Sequence, residues 1–137
     1  MSPKRLRISG AASAALISAL SFCTTARGVP AERIELLSWL PKGVDHLALY
    51  DRIDIALDPE PFSGSTTTFE ALWMGVPMVT LYGNRHAGRM VSSVLHSLGL
   101  DDWIAETDAE YVEIARRWAR DRAGLSALRA SLRDRMS

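Results

Sequence analysis

From residue 29 onward, apolar positions fall into short runs parted by polar turns, and their period alternates between that of a strand and that of a helix. Arg33 to Trp39 has the β-branched and apolar content of a strand and precedes the Pro41-Lys42-Gly43 break. Val44 to Tyr50 reads as a short helix with Val44, Leu47 and Tyr50 on one side. Ile53 to Leu57 is a brief apolar run of the kind that strands buried on both faces of a parallel sheet show, and Asp58 sits just past its end. Two prolines and a glycine between Pro59 and Gly64 predict a loop. A helix from about Thr67 to Met74 should stop at Gly75, with Pro77 just beyond, and Met78 to Leu81 is the next strand. After a polar turn over Tyr82 to Ala87, Val91, Val94, Leu95 and Leu98 recur at helical spacing up to Gly99.

Trp103 and Ile104 predict a short terminal strand. Thr107 can then cap a helix whose one face carries Tyr111, Ile114, Ala115 and Trp118. Gly124 marks a break, after which Leu125, Leu128, Leu132 and Met136 continue the helical period. Strands alternating with helices over short links predict an α/β domain, a Rossmann-like parallel sheet flanked by helices. Ligands of such domains bind at the carboxyl ends of the strands.

The 137 residues fit one domain with an ordinary core. Sixteen Lys and Arg balance sixteen Asp and Glu, so net charge recommends neither nucleic acid nor an acidic membrane as partner. The single cysteine, Cys23, excludes an internal disulfide and a structural zinc cluster built on cysteines. The opening stands apart: Lys4, Arg5 and Arg7 precede an apolar run from Ile8 to Phe22, the outline of a secretory signal peptide or of a surface helix. The expected division is residues 1–28 as a separate segment and 29–137 as the domain, in the cytoplasm unless the opening directs export.

The chemistry concentrates in Gly64-Ser65-Thr66-Thr67-Thr68-Phe69-Glu70, between two strand-like runs. A helix opening on a glycine and four hydroxyl residues offers free backbone N–H groups, the positive end of the helix dipole and extra donors, which suit a phosphate. One hydroxyl suffices for a helix cap, and four exceed that need. Thr67-x-x-Glu70 also matches a capping box. A carboxylate repels phosphate, so a functional Glu70 would face the hydroxyls of a ribose. No lysine follows the turn as in a P-loop. His46, His86 and His96 show no metal-ligand spacing; His46 could stack on a base or bind a phosphate.

Asp54 to Asp58, followed by Gly64-x-Thr66-Thr67-Thr68-x-Glu70-Ala71-Leu72-Trp73-Met74-Gly75-Val76-Pro77-Met78-Val79-Thr80-Leu81, resembles the C-terminal catalytic lobe of bacterial O-GlcNAc transferase-like (SPINDLY-type) proteins. These are glycosyltransferases of the GT-B fold linked to tetratricopeptide repeats. Gly83-x-x-His86-Ala87-x-Arg89 and Val29-Pro30-Ala31-Glu32-Arg33-Ile34 extend the likeness, which covers about Arg27 to the C-terminus.

The resemblance implies a UDP-sugar donor, typically UDP-N-acetylglucosamine, and inverting transfer to a serine or threonine hydroxyl of a protein acceptor. It implies no cofactor and no metal. Carried over by position, Ser65, Thr66 and Thr67 would hold the diphosphate, Glu70 the ribose, His46 would lie near the uridine, and Lys42 would flank the nucleoside. Animal members have aspartate where Glu70 stands and histidine where Ser65 stands, and Gly88 replaces a common serine. The family's catalytic lobe and its diphosphate-supporting lysine lie upstream of the matched part, so the catalytic residues stay unassigned. The expectation is weak binding of a uridine nucleotide, with slow or no transfer unless a separate chain supplies the other lobe. The competing expectation is a non-catalytic interaction or remnant domain of the same fold, exposing an apolar face.

Overall fold

Met78, Val79 and Thr80 form an unbroken buried run, and such a run needs neighbours on both sides. The computed structural model, which describes residues 6–9, 26–37, 46–58, 64–83 and 88–137, supplies them. Strand β4 (Met78–Leu81) lies between β3 (Ala56–Asp58) and β5 (Ile104–Ala105) in a three-stranded sheet, parallel to both. The register sets Ala56 beside Met78 and Asp58 beside Thr80, and Thr80 beside Ile104.

The chain divides into two compact units, Met1–His46 and Leu47–Ser137. In the first, β1 (Leu6–Ser9) pairs in parallel with β2 (Ile34–Leu37), Leu6 opposite Ile34, and a short 3-10 turn over Ala31–Arg33 leads into β2. The opening segment therefore contributes a strand at Leu6–Ser9. Most of the apolar run to Phe22, and the Trp39 end of the expected strand, lie outside the described residues.

The second unit holds α1 (Thr66–Trp73), α2 (Met90–Ser97), α3 (Asp108–Arg120) and α4 (Arg122–Arg135). Helix α4 buries Leu125, Leu128 and Leu132 at helical spacing, and α2 buries Val91 and Leu95. Tyr111, Ile114, Ala115 and Trp118 of α3 pack against the same core as its partly covered rim, where Trp118 stacks on the buried Trp103 at 4.7 Å. Truncating the fully buried Leu132 to alanine should cost about 2–5 kcal/mol, the range for a cavity left in a packed core.

Both α1 and α2 end in Schellman motifs. Val76 N–H donates to Ala71 O at 2.8 Å and Gly75 N–H to Leu72 O at 3.0 Å; Leu100 N–H donates to Leu95 O at 2.9 Å and Gly99 N–H to His96 O at 3.0 Å. Gly75 and Gly99 take the left-handed φ of +76° and +68° that these ends require. At Gly75 a side chain is barred twice, because its Cβ would also stand 3.0 Å from Arg129 O. Arg129 binds that corner, its Nε donating to Gly75 O at 3.0 Å and its Nη1 to Asp54 Oδ1 at 2.7 Å.

Several expected elements shift. The Ile53–Leu57 run is strand only from Ala56, because Ile53 N–H closes a turn onto Tyr50 O. Leu57 stays 46% exposed, so β3, an outer strand of the three, is not buried on both faces. The expected helix before it is a 3-10 run over His46–Arg52. The break between the last two helices falls at Asp121 and not at Gly124; Asp121 caps α4 by accepting the Gly124 N–H at 2.9 Å, which places the glycine inside the helix's first turn. Thr107 caps α3 as expected.

Candidate functional site

The carboxyl ends of β3 and β4 and the start of α1 meet at the hydroxyl-rich turn. Ser65 is the N-cap of α1 with φ −123° and ψ −90°, and its side chain makes no capping bond. Its carbonyl accepts from Thr68 N–H at 3.0 Å and Phe69 N–H at 3.3 Å. The N–H groups of Thr66 and Thr67 stand in the first turn, where no carbonyl of the helix lies behind them.

The four hydroxyl residues do not act alike. Ser65, Thr66 and Thr67 are exposed, whereas Thr68 is buried and its Oγ1 turns inward to Met78 Sδ at 3.7 Å. Three hydroxyl residues are therefore exposed beside the positive end of the helix dipole.

Glu70 stands one turn further along α1, half-buried. Its Oε2 accepts a hydrogen bond from the Tyr50 hydroxyl at 3.3 Å, and the same hydroxyl lies 3.4 Å from Thr67 O. Burial, and then the Glu70 charge, push the Tyr50 phenol up to about 12, so it remains a donor throughout the neutral range. Thr67 lies inside the helix and is not its cap, so Thr67-x-x-Glu70 does not form the capping box that its spacing permits.

Beneath the turn lies Asp58, 8% exposed at the end of β3. Gly64 N–H donates to its Oδ1 at 2.9 Å and Thr80 Oγ1 to its Oδ2 at 2.8 Å. Tyr111 approaches from α3: burial, and then the Asp58 charge, push its phenol up to about 12, and its oxygen has no hydrogen-bond partner among the described residues. Beyond β4, the backbones of Gly83 and Gly88 come so close that a Cβ on Gly83 would stand 2.8 Å from Gly88 O. Arg89 donates from Nε to Gly83 O at 2.7 Å, with its guanidinium over the Tyr82 ring.

The structure thus gathers Ser65, Thr66, Thr67 and Glu70 on the opening turns of α1. His46 is exposed at the start of its 3-10 run and belongs to the first compact unit. Lys42, the Pro59 to Ser63 part of the loop and the turn containing His86 lie outside the described residues. His96 is exposed on α2 with Nδ1 2.6 Å from Asp101 Oδ1, a pairing that raises its pKa. Sequence reading did not assign roles to Asp58 and Tyr50. An acidic residue at the carboxyl end of a strand was a usable signal for the first; nothing local marks the second, whose partner is 20 residues away.

A model of Glycosyl transferase family 41 matches residues 10–137, and so begins within the opening segment. A probable UDP-N-acetylglucosamine–peptide N-acetylglucosaminyltransferase, SPINDLY, from Solanum lycopersicum is 44% identical over 110 residues, which are 80% of this chain and 12% of that protein. A UDP-N-acetylglucosamine–peptide N-acetylglucosaminyltransferase from Caenorhabditis elegans is 35% identical over 106 residues, 77% of this chain and 9% of that one. A solved O-GlcNAc transferase mutant from Thermobaculum terrenum superposes with a TM-score of 0.85 at 47% identity, over 96% of this chain and 25% of the other. That likeness bears out the α/β fold with parallel strands flanked by helices. The chain spans only about an eighth of the plant relative's length.

Proposed function

Because this chain belongs to Glycosyl transferase family 41, whose model matches residues 10–137, we propose that it carries the donor-binding lobe of a protein O-linked N-acetylglucosaminyltransferase. The donor is a UDP-sugar, UDP-N-acetylglucosamine by the names of the relatives. The observation that carries this reading is the start of α1, where three exposed hydroxyl residues open a helix whose N-cap, Ser65, makes no side-chain capping bond.

In this reading the diphosphate rests on the Thr66 and Thr67 amides and on the Ser65, Thr66 and Thr67 hydroxyls. Amides, hydroxyls and helix dipole meet its charge without a metal. Glu70, steadied by Tyr50, accepts from the ribose hydroxyls one turn along. During transfer the acceptor serine or threonine oxygen bonds to the anomeric carbon from the face opposite the diphosphate as the bond from that carbon to the β-phosphate oxygen breaks. The configuration inverts, UDP departs, the acceptor's hydroxyl proton goes to the departing UDP or to solvent, and donors aimed at the diphosphate stabilise the charge it gains. Transfer takes place where a second lobe faces this one, with a protein as acceptor and the cytoplasm as the setting. Among the described residues no helix is long and apolar enough to cross a membrane.

Calorimetric titration with UDP, GDP and ADP tests the reading, on wild type and on a protein with Thr66→Ala and Thr67→Ala together. Tightest binding of UDP, weakened by the double change, is the expected result. Equal affinity in the two proteins removes the site, and a preference for GDP or ADP removes the uridine while keeping the diphosphate. No binding of any of them at millimolar concentration favours the second reading, a non-catalytic interaction domain. The observation on that side is the exposed pair Phe69 and Trp73, one turn apart on α1 and 48% and 45% accessible.

A further inference from the structure

Asp58 is a buried carboxylate whose two oxygens are divided between two elements. Oδ2 accepts from Thr80 Oγ1, wholly buried on the central strand, and Oδ1 accepts from the backbone N–H of Gly64, where the turn into α1 begins. Burying a carboxylate is costly without such bonds, and a bond to a charged acceptor is about twice as strong as one between neutral groups. One end of the link is thus fixed in the sheet, and the other determines where the turn starts.

Gly64 can take that place only because it lacks a side chain: a Cβ would stand 2.8 Å from Thr68 Oγ1 and 3.1 Å from Thr67 Oγ1. The backbone at Gly64 is therefore held by Asp58 through its N–H, and the Thr67 and Thr68 hydroxyls close off the space a side chain there would need. A carboxylate has the wrong sign to contact a phosphate, so any service it gives the site passes through the amide it holds.

We propose that Asp58 is a positioning residue of the anion-binding turn, resting on the donor-site reading above. It holds Gly64 so that the Ser65 to Thr67 donors converge on one anion before any ligand arrives. Preorganised donors bind more tightly because no ordering cost remains at the moment of binding.

The test uses the 137-residue chain as wild type, Asp58→Asn and Asp58→Ala. Asparagine can still accept from Gly64 through Oδ1 and meet the Thr80 hydroxyl through its amide nitrogen; alanine can do neither. Amide hydrogen exchange without ligand should show the Gly64 N–H protected in wild type and Asp58→Asn and unprotected in Asp58→Ala. UDP affinity should stay within about threefold for Asp58→Asn and fall roughly tenfold or more for Asp58→Ala, the loss expected for a bond to a charged group. A freely exchanging Gly64 amide in folded wild type overturns the proposal, whether or not the alanine variant folds. So does unchanged UDP affinity in a folded Asp58→Ala protein that has lost the protection. A wild type that binds none of the three nucleotides overturns the donor-site reading instead, and the exchange pattern alone then decides whether Asp58 holds the turn.

Discussion

Helices α1 and α3 carry the same four-residue signature near their starts, Thr67-x-x-Glu70 and Thr107-x-x-Glu110, and use it in opposite ways. At α3, Thr107 sits at the N-cap in extended geometry and accepts the Glu110 N–H at 3.2 Å, while Glu110 Oε2 reaches back to the Glu106 N–H at 2.8 Å. The polar groups there satisfy one another. At α1 the chain enters the helix earlier, Ser65 becomes the N-cap without a capping bond, and Tyr50 engages the Glu70 carboxylate. The hydroxyl residues that could have closed the helix end stay exposed. A start closed on itself has only stability to offer; one left open can offer donors to a ligand.

The contrast can be broken most decisively at α1. Thr66→Ala with Thr67→Ala should weaken UDP binding by at least about tenfold, as for loss of bonds to a charged ligand, with little change in melting temperature. The reverse is expected at α3, where Thr107→Ala should cost about 1 kcal/mol, a few degrees of Tm in calorimetry, and leave UDP affinity unchanged. If both changes cost stability alone, the two starts are equivalent and the comparison collapses.

Tyr50→Phe sharpens it further by removing the Tyr50 bond to Glu70, and should weaken UDP binding a few-fold, about 1 kcal/mol or less. It also carries a pH signature. The Tyr50 phenol is raised from 10.0 to about 12 in the folded protein, so its stabilising contribution is whole below pH 10 and is lost as pH rises towards 12. Urea midpoints across that window should fall less steeply in Tyr50→Phe than in wild type, with Tyr111 supplying the remaining slope. The smallest effect belongs to the exposed His96–Asp101 pair. Its raised histidine pKa stabilises the fold below the usual value of 6.5, and the benefit disappears as pH climbs through the raised value. His96→Gln should remove that shallow dependence and leave nucleotide binding untouched.

Much of this was legible in the residues themselves. Gly75 and Gly99 announce helix ends because only glycine enters the left-handed region freely, and both ends are found there. The Met78 to Leu81 run reads as a strand and is one, and Leu125, Leu128 and Leu132 recur at the helical spacing that α4 shows. The hydroxyl run at α1 was identifiable as an exceptional helix start from its excess over what a cap requires. These features are local: backbone preference and side-chain period act within a few residues.

The tertiary structure decided what those groups touch. It turned Thr68 into the core and left its three neighbours outside, moved the helix entry to Ser65, gave Glu70 to Tyr50, and tied Gly64 through Asp58 to Thr80. The physical reason is separation. Tyr50 and Glu70 lie 20 residues apart and Thr80 and Asp58 lie 22, so only the packing of α1 beside the segment that carries Tyr50 brings the first pair within hydrogen-bonding reach, and only the pairing of β3 with β4 the second. The four-residue signature determined that Thr67-x-x-Glu70 could be a cap, and the fold determined that it is not.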